Sequence, residues 1–257
     1  MKNILLEANN ISKIYNLDTK KPFTAMSEIS LKIYEGDFIC IMGPSGSGKS
    51  TLLNNISTID IPTKGEVYID GMRLNTMSER EIGKFRFQKL GFIFQDYSLL
   101  ESLTMYENIV APLSLQKVKA PDMKKKAEKM AKLLNISRLL DNYPSECSGG
   151  EKQRAAICRA LITDPKIIVA DEPTGNLDSK NSHELLKLLK KLNVEQSKTI
   201  VMVTHDPQVA SYSSKLIYIT DGKIVKELEK NNMSQKEYFN EIVKVTTKDF
   251  QRLFTEY

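Results

Sequence analysis

The eight residues Gly43-Pro44-Ser45-Gly46-Ser47-Gly48-Lys49-Ser50 constrain this chain more than any other segment. They fit the pattern G-x-x-x-x-G-K-[ST]. They lie between a wholly apolar run, Phe38–Met42, and an apolar helical segment that begins near Thr51. Glycines at these spacings let the backbone curl so that its N–H groups face phosphate oxygens. A helix starting at the loop adds the positive end of its dipole. Lys49 is placed to reach the β- and γ-phosphates, and Ser50 to bind Mg²⁺. Gly43, Ser45, Gly46, Gly48, Lys49, Ser50 and Thr51 form the candidate phosphate-binding set. A strand before this loop and a helix after it commit the chain to an α/β fold.

Composition agrees with a folded domain. The chain has 257 residues, 41% hydrophobic and 27% charged, close to an ordinary soluble protein. That excludes a disordered tail, a collagen-like fibre and a small disulfide-stapled scaffold. The length suits one large domain or a core with a lobe, and it is too short for two complete nucleotide-binding domains in tandem. No stretch approaches the ~20 apolar residues a membrane helix needs. The start, Met1-Lys2-Asn3-Ile4 followed by Glu7, lacks the apolar region of a signal peptide. The expectation is a cytoplasmic chain whose membrane role, if any, comes from docking on a separate protein. Cys40, Cys147 and Cys158 show no C-x-x-C spacing and read as reduced thiols. The 37 Lys+Arg against 32 Asp+Glu leave a formal charge of +5. The basic cluster between Lys117 and Arg138 reads as a solvated helix face rather than a nucleic-acid contact.

Patterning divides the chain. The first third reads as strands and turns, with Ile29–Ile33 alternating, Phe38–Met42 buried, and Gly65–Gly71 a strand closed by an Asp-Gly turn. From about residue 98 to 161 the pattern is helical; along Asp122–Leu134, Ala127, Met130, Ala131 and Leu134 share one face. Strands return at Ile167–Ala170, Thr199–Thr204 and Leu216–Thr220, with a helix over Ser182–Leu192. The fold class expected is a P-loop α/β core with a mostly parallel sheet, an antiparallel N-terminal β-subdomain and a helical insertion. The domain would cover residues 1–228. A helical tail, 229–257, would open on the capping box Ser234-Gln235-Lys236-Glu237 and serve as a packing helix.

Two further segments carry chemistry. Lys166–Glu172 is an apolar strand ending in two acids, at the sheet edge where open α/β folds bind ligands. Side chains alternate along a strand, so the acids take different roles: Asp171 would hold Mg²⁺ and Glu172 would polarise an attacking water. With the loop at 43–50, this pair points to nucleoside triphosphate hydrolysis. Ser148-Gly149-Gly150 opens a helix and is either a second anion site or a plain N-cap.

The loop at 43–50, Gln95 after an apolar strand, Ser148-Gly149-Gly150, the Asp171-Glu172 pair, Leu177-Asp178 and Thr204-His205-Asp206 occur in one order. Over roughly residues 4–226 that order resembles the ATP-binding subunit of an ATP-binding-cassette (ABC) transporter. The family's signature usually reads L-S-G-G-Q; this chain has Cys147-Ser148-Gly149-Gly150-Glu151. The resemblance implies ATP and Mg²⁺ as ligands, with Gln95 touching the metal and sensing the membrane partner. It implies His205 at the γ-phosphate and Asp178 in a loop that crosses between subunits. Tyr15 matches the aromatic that stacks on adenine, or is only an aromatic at a strand end. Ser148, Gly149 and Gly150 of one subunit would close over ATP held by Lys49 of another, making a head-to-tail homodimer.

Pro173–Asp178 resembles the branch with macrolide exporters, lipoprotein-release systems and cell-division ATPases. Phe94–Leu100, Asn108–Leu115 and Ala210–Ser214 look most like bacitracin- and lantibiotic-type resistance exporters. That group pairs two ATPase chains with a large integral-membrane permease and often a sensor kinase, on the inner face of the cell membrane. The alternative from a different class is an ATP-driven mechanotransmission module of the cell-division type, which transports nothing.

Overall fold

Reversal of the chain builds the N-terminal third. In a computed structural model that describes residues 3–19 and 21–255, with side chains through residue 248, β1 (Ile4–Tyr15) runs antiparallel to β2 (Phe23–Tyr34). After β3 (Phe38–Met42) and α1 (Lys49–Ile56), β4 (Lys64–Ile69) returns antiparallel to β1 on its other side. Asp70 and Gly71, at φ 53° and 76°, then turn the chain into the short β5 (Met72–Arg73). Two successive positive φ values are what a tight two-residue hairpin needs. This is the expected antiparallel β-subdomain, ordered β2-β1-β4-β5.

The chain continues through α2 (Glu79–Lys89), β6 (Leu90–Ile93), α3 (Met105–Leu115), α4 (Ala120–Leu133), α5 (Gly149–Leu161) and β7 (Ile167–Asp171). Helix α6 (Ser179–Gln196) leads to β8 (Thr199–Thr204), α7 (Pro207–Ala210), β9 (Lys215–Thr220), β10 (Lys223–Glu229) and α8 (Gln235–Thr255). Contacts gather into two units, Met1–Met77 with Leu186–Tyr257, and Ser78–Leu185.

In the first unit, β3 lies between β8 and β9, parallel to both, and β10 closes antiparallel on β9. Every residue of β3 and β8 is buried. Their unbroken apolar runs are what parallel strands covered on both faces require. The tail belongs to this unit: Tyr238 and Ile242 of α8 are wholly buried, and the Tyr238 hydroxyl donates to the Leu228 carbonyl at 3.2 Å. In the second unit, β6 and β7 pair in parallel, and α3, α4 and α5 pack on one another through Ile109, Leu113, Ala127, Ala131 and Ala155. The α4 lysines 124–126 face solvent, opposite its buried alanines. The helical insertion and the parallel pairings are those expected. Among the described residues, no helix is long and apolar enough to cross a membrane.

Candidate functional site

The site residues fall in both units. In the first, strand register aligns them. Met42, the last residue of β3, pairs with Thr204 of β8. Gly43 and His205 are therefore the next residues of adjacent parallel strands, at the carboxyl edge of the sheet where ligands bind in such folds. At two of its glycines the loop packs too tightly for a side chain. A Cβ at Gly43 would lie 2.0 Å from the Ile219 carbonyl oxygen, and one at Gly48, where φ is 96°, would lie 2.6 Å from that of Ala25. The Ser47 carbonyl accepts from Gly222 N–H at 3.0 Å, fixing the loop to the turn after β9.

Gly48 is the N-cap of α1, with no side chain capping the helix. By contrast, Ser78, Thr104 and Ser148 cap α2, α3 and α5. The first N–H groups of α1 thus point along the dipole into the loop, as phosphate binding requires. Lys49 is buried and arches over the loop, its Nζ donating to the Pro44 carbonyl at 2.7 Å. Ser45, Gly46 and Ser50 are exposed and Thr51 half-buried, so the outer rim of the loop is open to a ligand. His205 is exposed, and Asp206 beside it caps α7 through Gln208 N–H at 2.7 Å.

Tyr15 ends β1 and is 37% exposed. Its hydroxyl donates to Asp60 Oδ2 at 3.3 Å, and Lys13 Nζ lies 5.2 Å from its ring centroid. Lys13 also pairs with Asp60 Oδ1 at 2.6 Å. The ring is therefore held at its rim and against one cation, while much of it faces solvent.

In the second unit, Ile93 of β6 pairs with Ala170 of β7. Gln95 and Glu172 are thus each two residues beyond paired positions, at one edge. Glu172 has φ 45°, a conformation a residue of its kind rarely takes and one that bends the chain sharply after Asp171. Residues 172–178 then fold onto Gln95. Asn176 Nδ2 donates to the Gln95 carbonyl at 2.8 Å, and a Cβ at Gly175 would lie 2.8 Å from Gln95 Nε2. Gln153 Nε2, buried on α5, donates to the Pro173 carbonyl at 2.8 Å.

The same unit joins the Ser148 turn to Asp178. Asp178 accepts from Asn181 N–H and from Asn181 Nδ2, each at 2.8 Å. These bonds hold its carboxyl below the ordinary carboxylate range. Asn181 Oδ1 accepts from Arg154 at 3.3 Å and would lie 2.9 Å from a Cβ at Gly150. At the start of α5, Glu151 completes a capping box: its carboxylate accepts from the Ser148 N–H at 2.9 Å and hydroxyl at 2.8 Å. Those bonds, the backbone one first, keep Glu151 below its usual value. The plain N-cap reading of Ser148 thus holds in this structure, and an anion would meet a carboxylate at the same hydroxyl.

The donor set named for Mg²⁺ is the Ser50 hydroxyl, the Gln95 amide oxygen and the Asp171 carboxylate. All are hard oxygen donors with a single full charge, which suits a cation that keeps several waters and shares substrate phosphates. The residues fit the ion. Asn176, Asn181, Gln153 and Arg154 carry no role that the sequence alone assigns. Only Asn181 left a local trace, three residues past Asp178 at the position an N-cap carboxylate reaches.

A P-loop opening α1 in one unit, and paired acids at the end of a buried parallel strand in the other, are the parts of a nucleoside triphosphatase. The family model described as ABC transporter matches residues 26–175, and the chain belongs to that family as an ABC ATPase. The bacitracin export ATP-binding protein BceA of Halalkalibacterium halodurans is 46% identical over 240 residues, covering 93% of this chain and 94% of that protein. The macrolide export ATP-binding/permease protein MacB of Chlorobium phaeobacteroides is 43% identical over 90% of this chain and 35% of its own length. Among solved structures, the ATP-binding cassette MJ0796 of Methanocaldococcus jannaschii, in a dimeric post-hydrolysis state bound to ADP and Pi, superposes with a TM-score of 0.82 at 41% identity. The match covers 88% of this chain and 98% of that one.

Proposed function

We propose that this chain is the energy-coupling subunit of an exporter that confers resistance to antimicrobial peptides of the bacitracin class. The observation that carries this reading is the 46% identity, along nearly the whole chain, with a bacitracin export ATP-binding protein. Its partner is an integral-membrane permease, which holds the subunit at the cytoplasmic face of the membrane; a sensor kinase joins the same assembly. The shallow cleft of about 220 Å³ beside the Gln95 loop, lined by Phe87, Phe92, Phe94 and Pro112, is where we put the permease contact.

In the catalytic cycle, loop 43–50 and the start of α1 hold the triphosphate, with Lys49 leaving the Pro44 carbonyl for the β- and γ-phosphates. Ser50, Gln95 and Asp171 would hold Mg²⁺, and the ion would supply charge neutralisation at the phosphates. Glu172 takes a proton from the attacking water, and His205 contacts the γ-phosphate. Tyr15 supports the adenine. Ser148, Gly149 and Gly150 of a second copy close over the same nucleotide, with Asp178 reaching across, so ATP joins two subunits head to tail.

The reading is tested by expressing the chain with its permease in a bacitracin-sensitive strain. Tolerance that appears with the wild-type pair and disappears with Glu172→Gln supports it. Tolerance unchanged by Glu172→Gln, or isolation of the chain in a complex that activates cell-wall hydrolases, contradicts it and favours the mechanotransmission role.

A further inference from the structure

Arg159 lies near the C-terminal end of α5 and faces the loop that carries Gln95. Its Nη2 donates to the Tyr97 carbonyl at 2.7 Å, and its Nη1 donates to the Ser98 carbonyl. Both accepting residues have left-handed backbones, at φ 64° and 46°. Neither is glycine, so the turn is held against its own preference. The loop closes further on itself where the Ser98 hydroxyl donates to Asp96 Oδ1 at 2.7 Å. Arg159 is half-buried, and desolvation lowers its pKa, opposed by the Asp96 charge. A guanidinium drawn partly out of water gains from partners for its donors, and its rigid planar fork suits two neighbouring carbonyls as an ammonium does not.

The other side of the loop is fixed as well. A Cβ at Gly91 of β6 would lie 2.2 Å from the Ala160 carbonyl oxygen, so β6 and α5 touch backbone to backbone beside Arg159. Gln95 thus sits between two anchors, the paired strand ending at Ile93 and the clasp at Tyr97–Ser98. Helix α5 also carries Gln153, bonded to the Pro173 carbonyl, and Arg154, bonded to Asn181 and, at 2.9 Å, to Glu184.

We propose that Arg159 is a positioning residue: by clasping the Tyr97 and Ser98 carbonyls it fixes Gln95, and it makes α5 the bar that links the Ser148–Gly150 turn to the Gln95 loop. The proposal rests on the role given to Gln95 above. Movement of either end of α5 is then felt at the other, through these polar contacts and the close packing of β6 on α5.

The test uses the full chain with Arg159→Met, which keeps bulk without donors, and Arg159→Lys, which keeps charge without the fork. Hydrogen exchange of the peptide spanning residues 94–100 reads the clasp directly. Faster exchange confined to that peptide in Arg159→Met is expected, with Arg159→Lys intermediate. Steady-state hydrolysis should show kcat lower by roughly ten- to a hundredfold, the cost of a displaced reacting group. KM for ATP should change less than kcat, by no more than a few-fold, since loop 43–50 that holds the phosphates is untouched. In a Gln95→Ala background, Arg159→Met should cause no further loss, because both changes remove one effect. Unchanged exchange at 94–100, or losses that multiply in the double variant, would overturn the proposal. Full activity in Gln95→Ala alone would refute the role of Gln95 and remove the clasp's purpose, an outcome read without any change at Arg159.

Discussion

Glu151 serves one requirement at the expense of another. It caps α5 through Ser148, and it places a carboxylate 2.8 Å from the hydroxyl that the family reading offers to a partner's nucleotide. Glutamine would keep a capping carbonyl and shed the charge. Two like charges about 4 Å apart repel by about 1 kcal/mol in a water-like medium. Glu151→Gln should therefore tighten ATP-driven pairing about fivefold. Sedimentation equilibrium in the Glu172→Gln background measures it, and unchanged or weaker pairing contradicts the account. At Tyr15 the two sequence readings separate by substitution. If the ring stacks on adenine, Tyr15→Ala raises KM for ATP about tenfold, within the ~1–3 kcal/mol of a base–aromatic stack, and Tyr15→Phe leaves it alone. Equal KM in all three chains makes Tyr15 an ordinary strand-end aromatic tethered to Asp60. The residues legible from sequence were those whose chemistry is local: Gly43–Ser50 and Asp171-Glu172 announce themselves by spacing. Arg159, Gln153 and Arg154 were not legible, because each acts on a backbone or side chain twenty or more residues away.

Helix starts are the most regular local device in the chain. Ser78-x-x-Glu81, Thr104-x-x-Glu107, Ser148-x-x-Glu151 and Ser234-x-x-Glu237 all place a glutamate carboxylate on an N-cap backbone N–H, at 2.8 to 2.9 Å. Bonds from Ser78 and Ser234, the hydroxyls first, hold Glu81 and Glu237 below the ordinary value of 4.5. A carboxyl depressed in the folded state binds its proton more tightly when unfolded, so it stabilises at pH above the unfolded value. That contribution fades as pH falls through the lower folded value. The difference in melting temperature between wild type and Glu81→Gln should therefore be constant above about pH 5 and shrink below pH 4.5. A difference that grows on acidification contradicts the capping account. Only the Ser234 box was read from sequence, though the others have the same spelling. β3 and β8 were legible because burial on both faces leaves an unbroken apolar run. α6 was expected over Ser182–Leu192 but extends over Ser179–Gln196. Asp178 caps one end, and near the other Asn193 Nδ2 donates to the Gly36 and Lys198 carbonyls at 2.8 and 2.9 Å, contacts no local pattern reveals.

For the whole molecule, the proposed mechanism gives the triphosphate to the loop at 43–50 and its hydrolysis to the acids Asp171 and Glu172. Binding and hydrolysis should therefore separate by mutation. Removing a general base costs ~10²–10⁴ in rate while leaving the phosphate contacts intact. Removing Lys49 should instead abolish retention of the nucleotide. The most direct test is to follow ATP hydrolysis and particle mass together for purified Glu172→Gln supplied with Mg²⁺, with Lys49→Ala alongside. The account predicts ATP that stays bound, turnover slower by ~10²–10⁴, and a dimer that Lys49→Ala does not form. Normal turnover in Glu172→Gln, or undiminished ATP retention in Lys49→Ala, would contradict it.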